Sequence, residues 1–143
     1  MGKELFKMLA LGAVLSFSTL ALAQAPEKTP SPEGAQAYIV EPANGATVGT
    51  TFTVVFGLKG MGVAPAGVQA NNTGHHHLLV DGVQVPDLNL PLGADVTHFG
   101  AGQTQTTLTL TPGQHTLQLI LGDHLHIPHN PAVVSEQITV TVQ

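Results

Sequence analysis

The sequence predicts an all-β fold, an antiparallel immunoglobulin-like β-sandwich of about seven strands. Three observations predict it. Charged residues make up only 9% of the 143-residue chain, while Thr, Gly, Val, Leu and Pro are abundant; that mixture favours short strands and turns over helices. Apolar and polar residues alternate with a period of two in several runs, and no run keeps a helical period. Turn-forming Gly, Pro, Asn and Asp separate those runs at short intervals.

The first residues read as an address. Lys3 and Lys7 form a positive n-region, an apolar run covers residues 8–20, and Ala21-Leu22-Ala23 fits the small-x-small rule before a cleavage site. Residues 1–23 are therefore expected to be a signal peptide, since the apolar run is short for a membrane span. The exported product is expected to be periplasmic or secreted, with no membrane insertion after cleavage. Its net charge moves from −5 to −6, two lysines against eight carboxylates. Residues 24–35 are proline-rich and polar and are expected to form a flexible tether. Residues 36–143 are expected to be a single β-sandwich domain, long enough to bury a core.

The strands follow in order. Tyr38-Ile39-Val40 precedes the turn signal Pro42-Ala43-Asn44-Gly45. Across residues 51–56, Phe52, Val54 and Phe56 share one face and Thr51, Thr53 and Val55 the other, as a half-buried strand requires. Residues 60–69 carry too much Gly and Pro for regular structure. A strand is predicted over residues 76–80, and Asp81-Gly82 reads as a hairpin turn into Val83-Gln84-Val85. Residues 86–93 are expected to be irregular and residues 96–99 a short strand. Thr106, Leu108 and Leu110 alternate with Thr107 and Thr109, Pro112-Gly113 turns the chain, and residues 115–121 form a long apolar strand. Residues 135–142 are expected to close the sheet, with Ile138, Val140 and Val142 facing one way. The Cys…Trp…Cys landmarks of antibody domains are absent.

Composition excludes several functions. Lys3, Lys7, Lys28 and Lys59 are the four cationic residues, so no basic patch exists for nucleic acid. With no cysteine there is no disulfide, thiolate ligand or thiol nucleophile. Ser31 and Ser135 lack the surroundings of a serine nucleophile. Met61 is the single methionine left after cleavage, which argues against a methionine-rich copper site. The glycine-rich stretch at residues 99–104 has no lysine to cradle phosphate.

What remains is imidazole. All eight histidines lie between His75 and His129, and neutral imidazole is the commonest ligand for zinc and copper ions. Strand alternation puts His75 and His77 on one face and His76 with Leu78 and Val80 on the other. With Leu78 and Val80 in the core, His75 and His77 become an outward-facing chelating pair. His126 and His129 follow the long strand, with Pro128 stiffening the backbone between them. Loops at one end of a sandwich lie close together, so His75, His77, His126 and His129 are candidate metal ligands, with His98 and His124 in reserve. Asp123 is placed to hold a histidine tautomer. His115, after the Pro-Gly turn, reads as structural, His76 as a buried, hydrogen-bonded ring, and Gln103 and Thr104 as bonded to backbone.

Specific motifs accompany these residues. Thr73-Gly74-His75-His76-His77-Leu78 and Phe99-Gly100-Ala101-Gly102-Gln103-Thr104 resemble the T-G-H-H-H-L and F-G-x-G-Q-T marks of domain-of-unknown-function family 4399, a group of small exported bacterial domains. The resemblance extends from Phe56 to about Val140 and includes Gly60-Met61, Ala64-Pro65-Ala66-Gly67, Pro112-Gly113-x-His115-Thr116-Leu117 and Ser135-Glu136. Ala101 stands where a glycine is common and Gln105 where an acid is common, so an acidic role at position 105 has no support. The resemblance implies export and no particular activity.

Three functions are open at the level of sequence. The first is a periplasmic protein that carries or buffers copper or zinc, nickel being a further fit to thiolate-free ligands. The second is an envelope binding or structural module whose histidines are structural or pH-sensing. The third is a metal-assisted hydrolase, against which stands the scarcity of carboxylates near the histidines.

Overall fold

The computed structural model describes residues 24–143; the expected signal peptide, residues 1–23, lies outside the described residues. The described chain is an all-β sandwich. Its strands are β1 (Gln36–Glu41), β2 (Thr47–Val48), β3 (Thr51–Lys59), β4 (Gly62–Val63), β5 (Thr73–Val80), β6 (Thr97–His98), β7 (Gln105–Thr109), β8 (Gly113–Gly122) and β9 (Ile138–Val142). One sheet has the order β1-β3-β7 and the other β2-β9-β8-β5-β4, with β6 also on β5. The long strands pair antiparallel; β2 on β9 and β4 on β5 pair parallel. Taking β1, β3, β7 as strands A, B, E and β9, β8, β5 as G, F, C gives the immunoglobulin arrangement without strand D. Among the described residues no helix is long and apolar enough to cross a membrane.

The period-two pattern accounts for the layers. Val54 and Phe56 of β3 meet Leu78 of β5, Leu117, Leu119 and Leu121 of β8, and Val140 and Val142 of β9 in one core between the sheets. Each such side chain contributes about 1.5–3 kcal/mol by leaving water. The opposite face of β5 and β8 is also covered. Leu79 and Ile120 pack there against Leu92 and Val96, with Val85, Leu88 and Val134 around them. The irregular chain between β5 and β6 therefore lies over the outer face of the larger sheet.

Three expectations change. Residues 83–85 form no strand: a hairpin returning from Asp81-Gly82 would set Val85 opposite Leu78, which β6 already pairs through Thr97. The register of β5 runs from His75↔Gly122 to Val80↔Leu117 on the β8 side, and β4 and β6 occupy the other edge. Asp81, at φ +56°, leaves the sheet instead of starting a hairpin, and Val83 is fully exposed. The last strand begins at Ile138 and not at Ser135. The Ser135 hydroxyl accepts from the Leu119 amide (2.8 Å) and donates to the Glu136 carbonyl (2.7 Å), which holds the chain beside β8 before β9 starts. Finally, the segment expected to be a free tether is bonded to the domain at residues 29–31. The Thr29 hydroxyl donates to Asp123 (2.7 Å), and the Ser31 hydroxyl donates to the Pro131 carbonyl (2.6 Å).

Candidate metal centre

β5 supplies the centre of the site. Its outward face carries His75, His77 and Leu79, while His76, Leu78 and Val80 turn toward the sandwich core. On one edge His77 lies in register with His98 of β6; on the other, His75 faces Gly122 of β8. Beyond Gly122 the chain makes a tight loop. The Asp123 amide donates to the Ile127 carbonyl (2.9 Å) and the His126 amide to the Asp123 carbonyl (3.0 Å), which turns residues 123–127 back over β5. His126 adopts φ +64° at its apex, and its carbonyl accepts from the Leu92 amide (2.8 Å).

Four imidazoles meet under this loop. His126 Nδ1 is 2.9 Å from His75 Nε2, 3.3 Å from His77 Nε2 and 3.2 Å from His98 Nδ1. All four donor atoms lie within 4.8 Å of one another. One ring nitrogen carries either a single proton or a single lone pair, so it cannot bond three others at once. A shared cation would resolve the crowding. Ligand bonds of about 2.0–2.1 Å in a tetrahedron put donor atoms roughly 3.3 Å apart, close to the three separations at His126. The group could hold a metal ion. His98 Nε2 donates to the Gly93 carbonyl at 2.8 Å, so the lone pair sits on Nδ1, facing the other rings. Glycine at 122 makes room for His77, since a Cβ there would lie 2.6 Å from its Cε1.

Electrostatics keeps the rings in the ligating form. His75 and His77 are fully buried. Burial, then the neighbouring His126 and His98, lower the His75 pKa to about 4, with Asp123 opposing. Burial first, then His75, His98 and His126, lower His77 to about 3. Burial and His98 also lower His126, against Asp123. Protons therefore do not compete with a cation at neutral pH.

The family model described as Domain of unknown function (DUF4399) matches residues 54–143. The chain belongs to this family. No curated protein and no solved structure matches it. All four clustered histidines lie within the DUF4399 match; β1, β2 and residues 29–31 lie before it.

The DUF4399 domain treats the remaining candidates differently. His129 is buried but outside the group: its Nε2 donates to the Thr73 carbonyl (3.1 Å), and its Nδ1 has no partner. His124 also stays out, half-buried in the 123–127 turn, with its carbonyl accepting from the Gly67 amide (2.9 Å). Asp123 bonds no histidine ring. Its Oδ1 accepts from the amides of Leu125 (2.8 Å) and Ile127 (3.0 Å), and its Oδ2 from the Thr29 hydroxyl. Burial pushes its pKa up, but those three donors outweigh burial and hold it below the usual value. The expected outward pair, His75 and His77, is covered by the loop and not open to solvent.

His76 is buried, yet neither ring nitrogen has a partner. It packs on Phe56 with ring centroids 5.2 Å apart, and burial lowers its pKa to about 4. His115 pins the turn after β5: Nδ1 donates to Asp81 (2.7 Å) and Nε2 lies 2.7 Å from the Thr111 carbonyl. Its pKa is raised, by the Asp81 bond first. Gln103 accepts from the Ala101 amide within the glycine-rich loop (2.9 Å). The full membership of His98 was not legible in sequence, because it depends on a two-residue strand pairing with β5.

Proposed function

We propose that this DUF4399 domain is an exported metal-binding protein that carries or buffers copper or zinc at His75, His77, His98 and His126. The observation that carries the reading is the convergence of four imidazole nitrogens, from β5, β6 and the loop after β8, with His126 Nδ1 within 3.3 Å of the other three. Four protein donors fill a tetrahedral set, the closed arrangement of a binding site. No carboxylate stands among them to act as a base on activated water, which argues for holding over hydrolysis. All-nitrogen ligands suit copper(II) and zinc, and the affinity order of divalent ions favours copper. His98 is the solvent-exposed member, His126 is half-buried, and His75 and His77 are buried, so an ion would exchange from the side of His98. Export rests on the n-region, apolar run and Ala21-Leu22-Ala23.

A metal-free, pH-responsive envelope module is the second reading. The His115–Asp81 pair favours it, as a histidine held charged in mild acid. The buried rings of His75, His76 and His77 count against it, because in the folded protein they stay neutral through mild acid and so gain no charge to act as a switch.

Titration of stripped, untagged protein with copper(II) and zinc tests the proposal, beside a His75→Ala/His77→Ala variant. About one equivalent should bind tightly and the variant should lose it. Weak, non-stoichiometric binding that the variant leaves unchanged would sink the metal reading.

A further inference from the structure

We propose that residues 29–31 form a strap that positions His126 through Asp123 and thereby sets the affinity of the four-histidine site. The inference rests on the metal-binding reading above and adds a control on it from outside the DUF4399 match.

The loop after β8 is pinned at both ends by this strap. At one end the Thr29 hydroxyl donates to Asp123 Oδ2 at 2.7 Å, across 94 residues of sequence. At the other, the Asn130 amide donates to the Thr29 carbonyl (3.0 Å) and the Ser31 amide to the Asn130 carbonyl (3.1 Å), with Pro30 and Asn130 bridged in parallel. The Ser31 hydroxyl adds its bond to the Pro131 carbonyl. Between these anchors Asp123 Oδ1 takes the amides on either side of His126, those of Leu125 and Ile127.

That arrangement matters because of what His126 must do. Its left-handed backbone, φ +64°, is unfavourable for a residue with a side chain and persists only where surroundings over-determine it. Its Nδ1 is also the one atom within 3.3 Å of the other three donors. Asp123 is 2% exposed, so removing the Thr29 hydroxyl leaves Oδ2 buried without its partner. The loop then has reason to shift, and His126 moves with it. Thr29 acts through its bond to Asp123 and is a positioning residue. The expected cleavage after Ala23 retains it in the exported chain.

The test is copper(II) binding by the full untagged chain, read by competition titration and by nitrogen hyperfine structure in electron paramagnetic resonance. Thr29→Val should weaken binding by about tenfold or more, the usual effect of removing a partner that orients a ligand, and should reduce the four-nitrogen signature. Thr29→Ser restores the hydroxyl and should restore both. Asp123→Asn keeps an oxygen for the Leu125 and Ile127 amides, and its amide can donate to the Thr29 hydroxyl with the bond reversed, so it should weaken binding less than Thr29→Val. Thr29→Ala removes the same hydroxyl and should match Thr29→Val, which serves if Thr29→Val folds poorly. Native protein that binds tightly, with Thr29→Val and Thr29→Ala equal to it in affinity and spectrum, would overturn the strap and leave the metal site standing. Failure of the native protein to bind either copper(II) or zinc would overturn the metal reading itself, and the strap with it.

Discussion

Acidification should destabilise the metal-free protein steeply, and the size of the effect follows from three rings. His75, His76 and His77 are fully buried, and their pKa values fall from 6.5 to about 4, about 4 and about 3. In the unfolded chain each ring takes a proton near pH 6.5; in the folded chain each stays neutral until far lower pH. A depressed folded pKa gives stability that is complete above the unfolded value and is lost as pH falls through the window between the two. From pH 7.5 to 5.5 each ring costs about 1.4 kcal/mol, or about 4 kcal/mol for the three. His126 is shifted in the same direction and adds to the loss. His115 opposes it: its raised pKa contributes stability below 6.5 that is lost as pH rises. Asp123, held below its usual value, stays ionised throughout this range. A loss of about 4 kcal/mol is a large part of the 5–15 kcal/mol typical of a domain. It should move the urea midpoint of chelator-treated protein down by about 2–3 M. A midpoint unchanged between those pH values would refute the claim that the rings are buried and neutral. Saturating zinc should delay the loss, because protons must then displace the ion from the same nitrogens.

Three substitutions separate the site from the fold around it. Gly122→Ala places a Cβ 2.6 Å from His77 Cε1 and 3.2 Å from its Nδ1; it should cost about 1–3 kcal/mol in urea unfolding and weaken zinc binding in titration. Gly49→Ala, whose Cβ meets nothing nearer than 3.9 Å, is the matched control and should do neither. His76→Leu removes two buried ring nitrogens that have no partner. It should stabilise the apo domain by about 1 kcal/mol or more at neutral pH, lessen the acid loss by about 1.4 kcal/mol, and leave metal stoichiometry unchanged.

Much of the frame was legible in the residues. Phe52, Val54 and Phe56, then Leu117, Leu119 and Leu121, announce their faces by alternation alone, because strand geometry is local. The same alternation separates His75 and His77 from His76. Where legibility failed, the cause was competition for partners. Asp81-Gly82 has the chemistry of a hairpin, but β6 already holds Leu78, where the returning strand would pair. Asp123 has the chemistry to orient an imidazole, but the Leu125 and Ile127 amides and the Thr29 hydroxyl take its oxygens. His129 sits only three residues from His126, yet the left-handed turn at His126 sends the two rings to different places, and the Thr73 carbonyl takes His129.

The sequence by itself determined the sheet content, the inward and outward faces, and a chain whose reactive groups are almost all imidazoles. Those properties depend on side-chain type and on a two-residue period, both of which are written locally. Only the tertiary structure decided which imidazoles share a point in space. That choice rests on contacts between segments far apart in the chain: His98 across from His77, Gly122 beneath its ring, and His126 held over β5 by Asp123 and Thr29. A long-range register is fixed by the packing of the whole sandwich, and no local pattern records it.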